Sequence, residues 1–418
     1  MNGQSRSASA GSGHAPIGLL GFASALSPFG MVVVVPTLNA LAQRYGTGFS
    51  EVQYIVSAYL FGLGIAQPFS GLLCDRFGRR PVVLAGFALF VLASIGCAEV
   101  DTLGWLIGLR FLQAIGVSVG TVASRAIIRD THDAAGTASA MSLMAVAMGA
   151  SPVLGPVIGG LLGNAFGPQS VFWASAALGT IAWLQIHFRL TETLAADAVI
   201  TITARHLLTE YLSLLRSRVF MGYTLMYGLV QGAYFAFLAV GAAVFEHDLQ
   251  LGQRGFGLVW GLMAIAYISA AFLAGRLNRV LGLSGTLRVG MAATLLAGWA
   301  IFALASGPGL SRLPFITLLA LLTAASGLVV PGSMAGAVNY RPEIAGTSTG
   351  LSSALGLLIG GSFSIVSGVL YKGSFPPVAL LMAIGATLTL VTGWMVRPVG
   401  APSGSPSPGS ETQQRPDR

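Results

Sequence analysis

Long apolar stretches separated by short polar ones make up almost the whole chain. Each stretch is close to the ~20 residues that a helix needs to cross the hydrocarbon core of a bilayer, at about 1.5 Å of rise per residue. Twelve such stretches are present, at residues 17–37, 51–73, 81–99, 103–124, 136–163, 169–189, 219–245, 255–275, 284–305, 313–338, 346–371 and 377–396. The pattern predicts an all-α polytopic membrane protein with twelve transmembrane helices.

The composition agrees with a protein whose main surroundings are the lipid bilayer. Charged residues are 9% of the chain and hydrophobic residues 54%, whereas soluble domains carry about 25% charged residues. The net charge of +8 is spread over the loops, so it does not indicate a nucleic-acid partner. Cys74 and Cys97 fall at opposite ends of two neighbouring spans, so we expect neither a disulfide nor a metal site.

The spans divide into two groups of six around the longest polar segment. This division predicts two pseudo-symmetric six-helix bundles, at residues 17–189 and 219–397, joined by a central loop at 190–218. The flanking segments 1–16 and 398–418 are rich in small residues such as Ser and Gly, which is typical of disordered tails.

Two short segments recur at corresponding places in the two halves. The loop at 71–81 has a degraded counterpart at 275–282, which keeps Gly and Arg but carries Asn278 in place of an acid. An Ala-Gly-Thr sequence opens both span five (135–137) and span eleven (345–347). A duplicated bundle implies a central cavity between the halves and alternating access by rocking of one half against the other.

The basic residues predict the orientation in the membrane. An even number of spans places both termini on one side, and 17 of the 22 basic residues, Arg125 among them, fall on that side. Four fall on the opposite side, and Arg110 lies inside a span. The positive-inside rule therefore places both termini, the central loop and the tails in the cytoplasm, as expected for a multi-pass protein of the plasma membrane, the inner membrane in bacteria.

The loop between spans two and three combines glycine, an acid and three arginines. It reads Gly71-Leu72-Leu73-Cys74-Asp75-Arg76-Phe77-Gly78-Arg79-Arg80-Pro81. For the arginines alone, a stop-transfer cluster is the alternative interpretation. The ordered spacing with the acid resembles the same loop of the major facilitator superfamily, Gly-x-Leu-x-Asp-Arg-x-Gly-Arg-Arg, and implies the twelve-helix major facilitator fold.

The end of span four carries a second resemblance. Residues 125–130, Arg-Ala-Ile-Ile-Arg-Asp, are similar to the bicyclomycin/chloramphenicol-resistance branch of the drug:proton antiporters. The resemblance implies that Asp130 and Arg79 form a charge relay and that Asp75 caps the start of span eleven near Gly346, an arrangement that helix-terminal N–H groups favour. Together these residues would form a cytoplasmic latch between the halves, made of Gly71, Asp75, Arg76, Gly78, Arg79, Arg80 and Asp130.

Arg110 is the one charged residue deep within a span. A charge at that depth is costly unless it faces a wet cavity or a partner, and snorkelling to the interface is the alternative. Together with Gln113 it resembles the superfamily's fourth-span motif, although Ala114 replaces a glycine; the resemblance implies a cavity-facing arginine linked to proton coupling. Since no acid lies in a span centre, Glu51 in the first turn of span two is the candidate that would titrate against Arg110.

Span five contains a motif rich in proline and glycine. Its pattern Gly-Pro-x-x-Gly-Gly resembles the span-five motif of antiporters and exporters in the superfamily, which favours efflux. A generic kinked span is the alternative. The candidate helix-packing residues are Gly149, Pro152, Gly155, Pro156, Gly159 and Gly160.

Span seven supplies the candidate substrate contacts. Tyr227, Gln231 and Tyr234 share one helix face by their spacing, and Tyr223 lies one turn earlier. Such stripes are often packing, but a glutamine facing lipid would be costly. Aromatic rings with few hydrogen-bonding groups suit an amphiphilic organic molecule.

The sequence therefore predicts a monomeric secondary transporter that exports small amphiphilic molecules such as drugs, in exchange for protons and without a cofactor. An importer, or a uniporter or exchanger of a small metabolite such as an anion, is the alternative. The chain has no phosphate-binding loop, zinc-type His/Glu spacing or nucleophile motif, so we do not expect an enzyme.

Overall fold

The computed structural model describes residues 16–132, 134–194, 204–251, 253–307, 310–341 and 344–396. Both predicted tails, except Pro16, and part of the central loop lie outside these residues. The first half contains α1 (Ile17–Val32), α2 (Leu38–Arg44), α3 (Phe49–Val52), α4 (Tyr54–Phe77), α5 (Arg79–Glu99), α6 (Leu103–Thr131), α7 (Ala134–Phe166) and α8 (Ser170–Arg189). The second contains α9 (Ala204–Arg216), α10 (Arg218–Ala243), α11 (Gln253–Ala305), α12 (Arg312–Asn339), α13 (Ala345–Leu370) and α14 (Pro376–Met395).

Eleven segments of the described chain are long and apolar enough to cross a membrane. One of them, α11, contains 53 residues and is interrupted at Gly282, whose φ of 69° and ψ of 171° are not helical. Because α11 therefore comprises two spans that meet at Gly282, the fold confirms the predicted all-α architecture of twelve transmembrane helices.

The turns at Gly78 and Gly282 occupy equivalent places in the two halves. Gly78 separates α4 from α5 with φ 95° and ψ 153°, a conformation close to that of Gly282. Only glycine adopts this region without strain. In each half the turn glycine follows an earlier glycine, Gly71 or Gly275, by seven residues, so the degraded repeat keeps its turn although it has lost its acid.

The two halves are packed together mainly through α4 against α13 and α7 against α11. We call the end of the bundle that carries the Gly78 and Gly282 turns the Gly78 end, and the opposite end, where α13 leads into Tyr371, the Tyr371 end. At the Tyr371 end the Ser57 and Ser364 hydroxyl oxygens are 2.9 Å apart, and the rings of Phe49 and Tyr371 meet edge to face. This end is closed by direct contacts between the halves.

At the Gly78 end the helix α9 bridges the halves. The Tyr211 hydroxyl donates a hydrogen bond to the Pro68 carbonyl of α4 at 3.2 Å, and the Thr347 hydroxyl of α13 donates to Glu210 at 3.3 Å. Burial raises the pKa of Tyr211 to about 12, so its hydroxyl keeps the proton that it donates. Residues 190–218 were predicted to be a loop, but the described part of this segment includes the amphipathic helix α9, which buries Leu214 against Phe220.

Candidate functional site

A charge cluster lies beside the Gly78 turn. Arg79 is only 7% exposed, and its guanidinium binds the Asp75 carboxylate, one turn earlier on α4, and Asp130 of α6 at 3.2 Å. Glu192 accepts hydrogen bonds from the backbone N–H groups of Arg79 (3.0 Å) and Arg80 (3.2 Å). An acid at a helix N-terminus compensates the unpaired N–H groups and the helix dipole.

The structure thus brings Asp75, Arg79 and Asp130 together, and it adds Glu192, which the sequence reasoning missed. No local pattern marks Glu192, because it lies in the polar segment after α8 and reaches the cluster only through the fold. Arg76 is exposed, with its guanidinium 5.3 Å from the Phe77 ring centroid, and Arg80 donates to the His187 carbonyl. Gly71 lies against Val122 of α6.

The implied cap of span eleven by Asp75 is not formed in this conformation. Gly346 is exposed, and no described atom outside its own helix lies within 4 Å of where a Cβ would stand. Asp75 binds Arg79 instead. The physical reason is that the Asp75 carboxylate is already neutralised by the Arg79 guanidinium, one turn further along the chain.

The structure places Arg110 among polar groups of the first half. Arg110 has no exposed surface; its Nη1 donates to the Gly30 carbonyl at 3.0 Å and to Gln113 Oε1 at 2.5 Å. Its guanidinium lies over the Tyr59 ring, 4.2 Å from the centroid. Carbonyl groups, an amide and an aromatic face compensate part of the cost of burying the charge, and they tie α1, α4 and α6 together inside the first half. The Nη2 group of Arg110 is buried without a hydrogen-bond partner among the described residues.

Of the two residues predicted to act with Arg110, Gln113 contacts it and Glu51 does not. Gln113 is fully buried, accepts a hydrogen bond from Arg110 and donates one to Ser94 of α5 at 2.6 Å. Glu51 is exposed in the first turn of the span Phe49–Phe77, on the short helix α3 that directly precedes α4. The contacts of Arg110 within the described chain do not include Glu51.

The span-seven residues have different neighbours. Tyr223 packs on Gly336 of α12, and Tyr227 on Gly356 of α13, where a Cβ would collide with each ring. Tyr234 meets Trp260 of α11 edge to face at 5.7 Å between centroids. Gln231 is half-buried on the same helix.

Two residues beyond the sequence candidates join this group. Tyr267 of α11 lies within electrostatic range of Tyr227 and Tyr234, and Arg125 of α6 lies within that range of Tyr227. Tyr267 lies in span eight, outside the span-seven stripe that marked the other candidates. Arg125 was assigned to the loop side, because its depth in α6 depends on where the helix ends.

The span-five glycines form a close contact with the end of α1. A Cβ on Gly159 would lie 1.9 Å from the Val33 carbonyl oxygen, and one on Gly155 would lie 2.4 Å from Val32 Cγ2. The helix α7 continues through Pro156, which is buried, and through Pro152, whose side chain lies outside what the structure describes. Gly149 and Gly160 have space around them, so the four glycines of the motif are not equivalent.

Comparison with known proteins decides the family. Residues 20–364 match the pattern of the Major Facilitator Superfamily. The chain belongs to this superfamily. A chloramphenicol resistance protein from Pseudomonas aeruginosa is 30% identical over 87% of this chain and 88% of its own length. A bicyclomycin resistance protein homolog from Haemophilus influenzae is 25% identical over 89% and 92%.

A solved structure agrees on the fold. The crystal structure of a D-xylose-proton symporter has a TM-score of 0.69 and covers 89% of this chain and 96% of its own, at 15% identity. These findings confirm the superfamily and the branch that the loop motifs indicated. Members of this superfamily are multi-pass membrane transporters, and the family match therefore indicates a transporter.

Proposed function

We propose that this transporter exports small amphiphilic organic molecules across the bacterial inner membrane in exchange for protons. The observation that carries the proposal is the asymmetry of the two halves. They touch directly at the Tyr371 end, through Ser57 and Ser364, while at the Gly78 end α9 spans between them. A bundle closed at one end is one of the two states that alternating access requires.

The orientation follows from the positive-inside rule. With both termini in the cytoplasm, the arginine-rich Gly78 end would face the cytoplasm, and a bundle closed at the Tyr371 end would be the inward-facing state of the cycle. The Arg79 cluster then lies where the latch must re-form when the cytoplasmic side closes. In that outward-facing state Asp75 would exchange part of its contact with Arg79 for the N-terminus of α13.

The direction of transport is supported by the span-five motif and by the relatives. Gly155 and Gly159 of the antiporter-type motif hold α7 against α1, and two relatives carry drug-resistance names. Import, and exchange of a small metabolite, remain the competing functions, because the fold alone serves both directions.

Everted membrane vesicles with labelled chloramphenicol test the proposal. Acidifying the vesicle interior should accelerate protein-dependent uptake of the label into the vesicles. Dissipating the pH gradient should return uptake to the level of control vesicles without the protein. Uptake that is unaffected by the gradient, in wild type and in Glu51→Gln, would overturn proton antiport. If chloramphenicol is not taken up, comparing the compounds that accumulate outside cells with and without the protein tests export directly: no difference would contradict it.

A further inference from the structure

A cavity of about 730 Å³ lies beside the Gly78 turn, and we call it the Arg80 cavity. Its walls come from the end of α4, the start of α5, the end of α8 and the segment directly after α8. This volume is within the range of about 300–1,000 Å³ that is common for small-molecule sites in proteins. Because the lining contains no residue of the second half, the cavity is separate from the space between the halves.

Two arginines of the Arg80 cavity have guanidinium groups without an acidic partner. Arg76 and Arg80 both line it, and the ion pairs of the described chain include neither of them. The Arg80 guanidinium donates from Nη2 to the His187 carbonyl at 2.9 Å, and its Nε is buried without a partner among the described residues. A guanidinium carries five N–H donors, so that of Arg80 is far from satisfied by the described chain.

The acids beside the cavity are compensated by other groups. Glu192 is part of the lining, but its carboxylate accepts hydrogen bonds from four backbone N–H groups, at 2.9–3.2 Å. Asp75 and Asp130 bind Arg79. The acceptor that would match Arg80 is therefore not supplied by these acids, which indicates an anionic group from outside the chain.

The cavity also has an apolar, aromatic rim. Phe77 and Phe188 line it and are 58% and 77% exposed. The His187 ring stacks on Trp183 with 5.2 Å between centroids and meets Phe188 edge to face, which fixes this wall. Basic pockets at the ends of membrane helices suit anionic lipid head groups, and exposed aromatic rings beside such a pocket suit hydrocarbon chains.

We propose that the Arg80 cavity binds a phosphate group, and that the ligand is an anionic phospholipid. Arg80 donates hydrogen bonds to the phosphate oxygens, since a guanidinium fork matches this group. Arg76 adds its positive charge, and the acyl chains lie on Phe77 and Phe188. A soluble phosphate compound has the same head-group chemistry without the chains. The proposal does not depend on the direction or the coupling of transport.

Native mass spectrometry of the purified, delipidated full-length protein in detergent tests the site. The probes are phosphatidylglycerol and phosphatidylcholine with the same acyl chains, together with glycerol phosphate. We expect phosphatidylglycerol to bind about tenfold more tightly than phosphatidylcholine, whose quaternary ammonium cancels the phosphate charge. Equal binding of the two lipids would overturn the proposal. Glycerol phosphate that displaces phosphatidylglycerol at equal concentration would overturn the lipid assignment, whereas failure to displace it would support that assignment.

Variants assign the preference to the cavity. Arg80→Gln should reduce the ratio of phosphatidylglycerol to phosphatidylcholine affinity to about twofold or less, and Arg76→Gln should lower this ratio about threefold. The matched control is Arg279→Gln, because Arg279 is exposed in the corresponding loop of the second half; it should keep the wild-type ratio.

Thermal unfolding without lipid checks that the variants fold. If Arg80→Gln does not fold, Arg76→Gln decides the matter, because Arg76 is exposed and forms no ion pair among the described residues. A lowered ratio in the folded cavity variants, with an unchanged ratio in Arg279→Gln, supports the site. Wild-type ratios in the folded cavity variants, or an equal loss in Arg279→Gln, would refute it.

Discussion

Arg79 shows how one side chain organises the Gly78 end. Its guanidinium binds Asp75 and Asp130 at once, a task that the fork of an arginine performs and the single ammonium group of lysine does not. We expect Arg79→Lys to lower the initial efflux rate about tenfold per molecule of membrane-inserted protein. Arg76→Lys, at an exposed position in the same loop, should keep the wild-type rate. Equal rates for the two variants would show that the cluster takes no part in the cycle.

The glycines of span five give a second residue-scale prediction. Gly159→Ala forces α1 and α7 apart, because the new Cβ would lie 1.9 Å from a backbone oxygen, and we expect it to cost about 1–3 kcal/mol. Gly160→Ala places its Cβ 3.8 Å from Pro36 and should be tolerated. Thermal unfolding of the two purified variants provides the comparison; a Gly159→Ala protein as stable as the Gly160→Ala protein contradicts this packing.

The sequence predicted which residues lie together only where they belong to a recognisable motif. The Asp75, Arg79 and Asp130 grouping came from the loop resemblance. The surroundings of Arg110 and Arg125 did not, because depth and helix face depend on where α6 begins and ends. The sequence predicted that Arg110 lies within a span, and only the structure shows the carbonyl groups and the amide that its guanidinium binds.

At the scale of elements, the loop at 275–282 keeps its tight turn at Gly282 although it carries Asn278 in place of an acid. Gly282→Ala should cost about 1–3 kcal/mol, because an L-residue is strained at φ 69° and ψ 171°. Gly275→Ala lies in a helical, open position and should be neutral or stabilising. The midpoint of thermal unfolding of each variant checks the difference. Equal midpoints would mean that the Gly282 turn is not required.

The starts of most helices followed from the apolar stretches, since long hydrophobic segments are easily recognised. The ends were less certain: span four was predicted to end at residue 124, whereas α6 continues to Thr131. The helix α9 was missed, because its apolar residues are few and its polar face dominates the composition of the segment. The position of α9 is set by tertiary contacts, namely the hydrogen bond from Tyr211 to Pro68 and the packing of Leu214 on Phe220.

At the scale of the whole molecule, the internal repeat predicted two halves but not the state in which they rest. The loop resemblance implies a contact between Asp75 and the start of α13, whereas in the structure Asp75 binds Arg79 and Gly346 is exposed. We expect the contact between Asp75 and α13 in the other state of the proposed alternating-access cycle.

In the proposed transport cycle the two halves separate at the Tyr371 end each time a molecule is exported. Ser57→Cys combined with Ser364→Cys places two thiols where the hydroxyl oxygens are 2.9 Å apart, a separation that a disulfide can bridge with small adjustments. Replacing the buried Cys74 and Cys97 by alanine removes competing thiols, and each single cysteine variant serves as a control. Oxidation should abolish transport by the double variant alone, and reduction should restore it. Full transport by the quantitatively cross-linked protein would contradict the account.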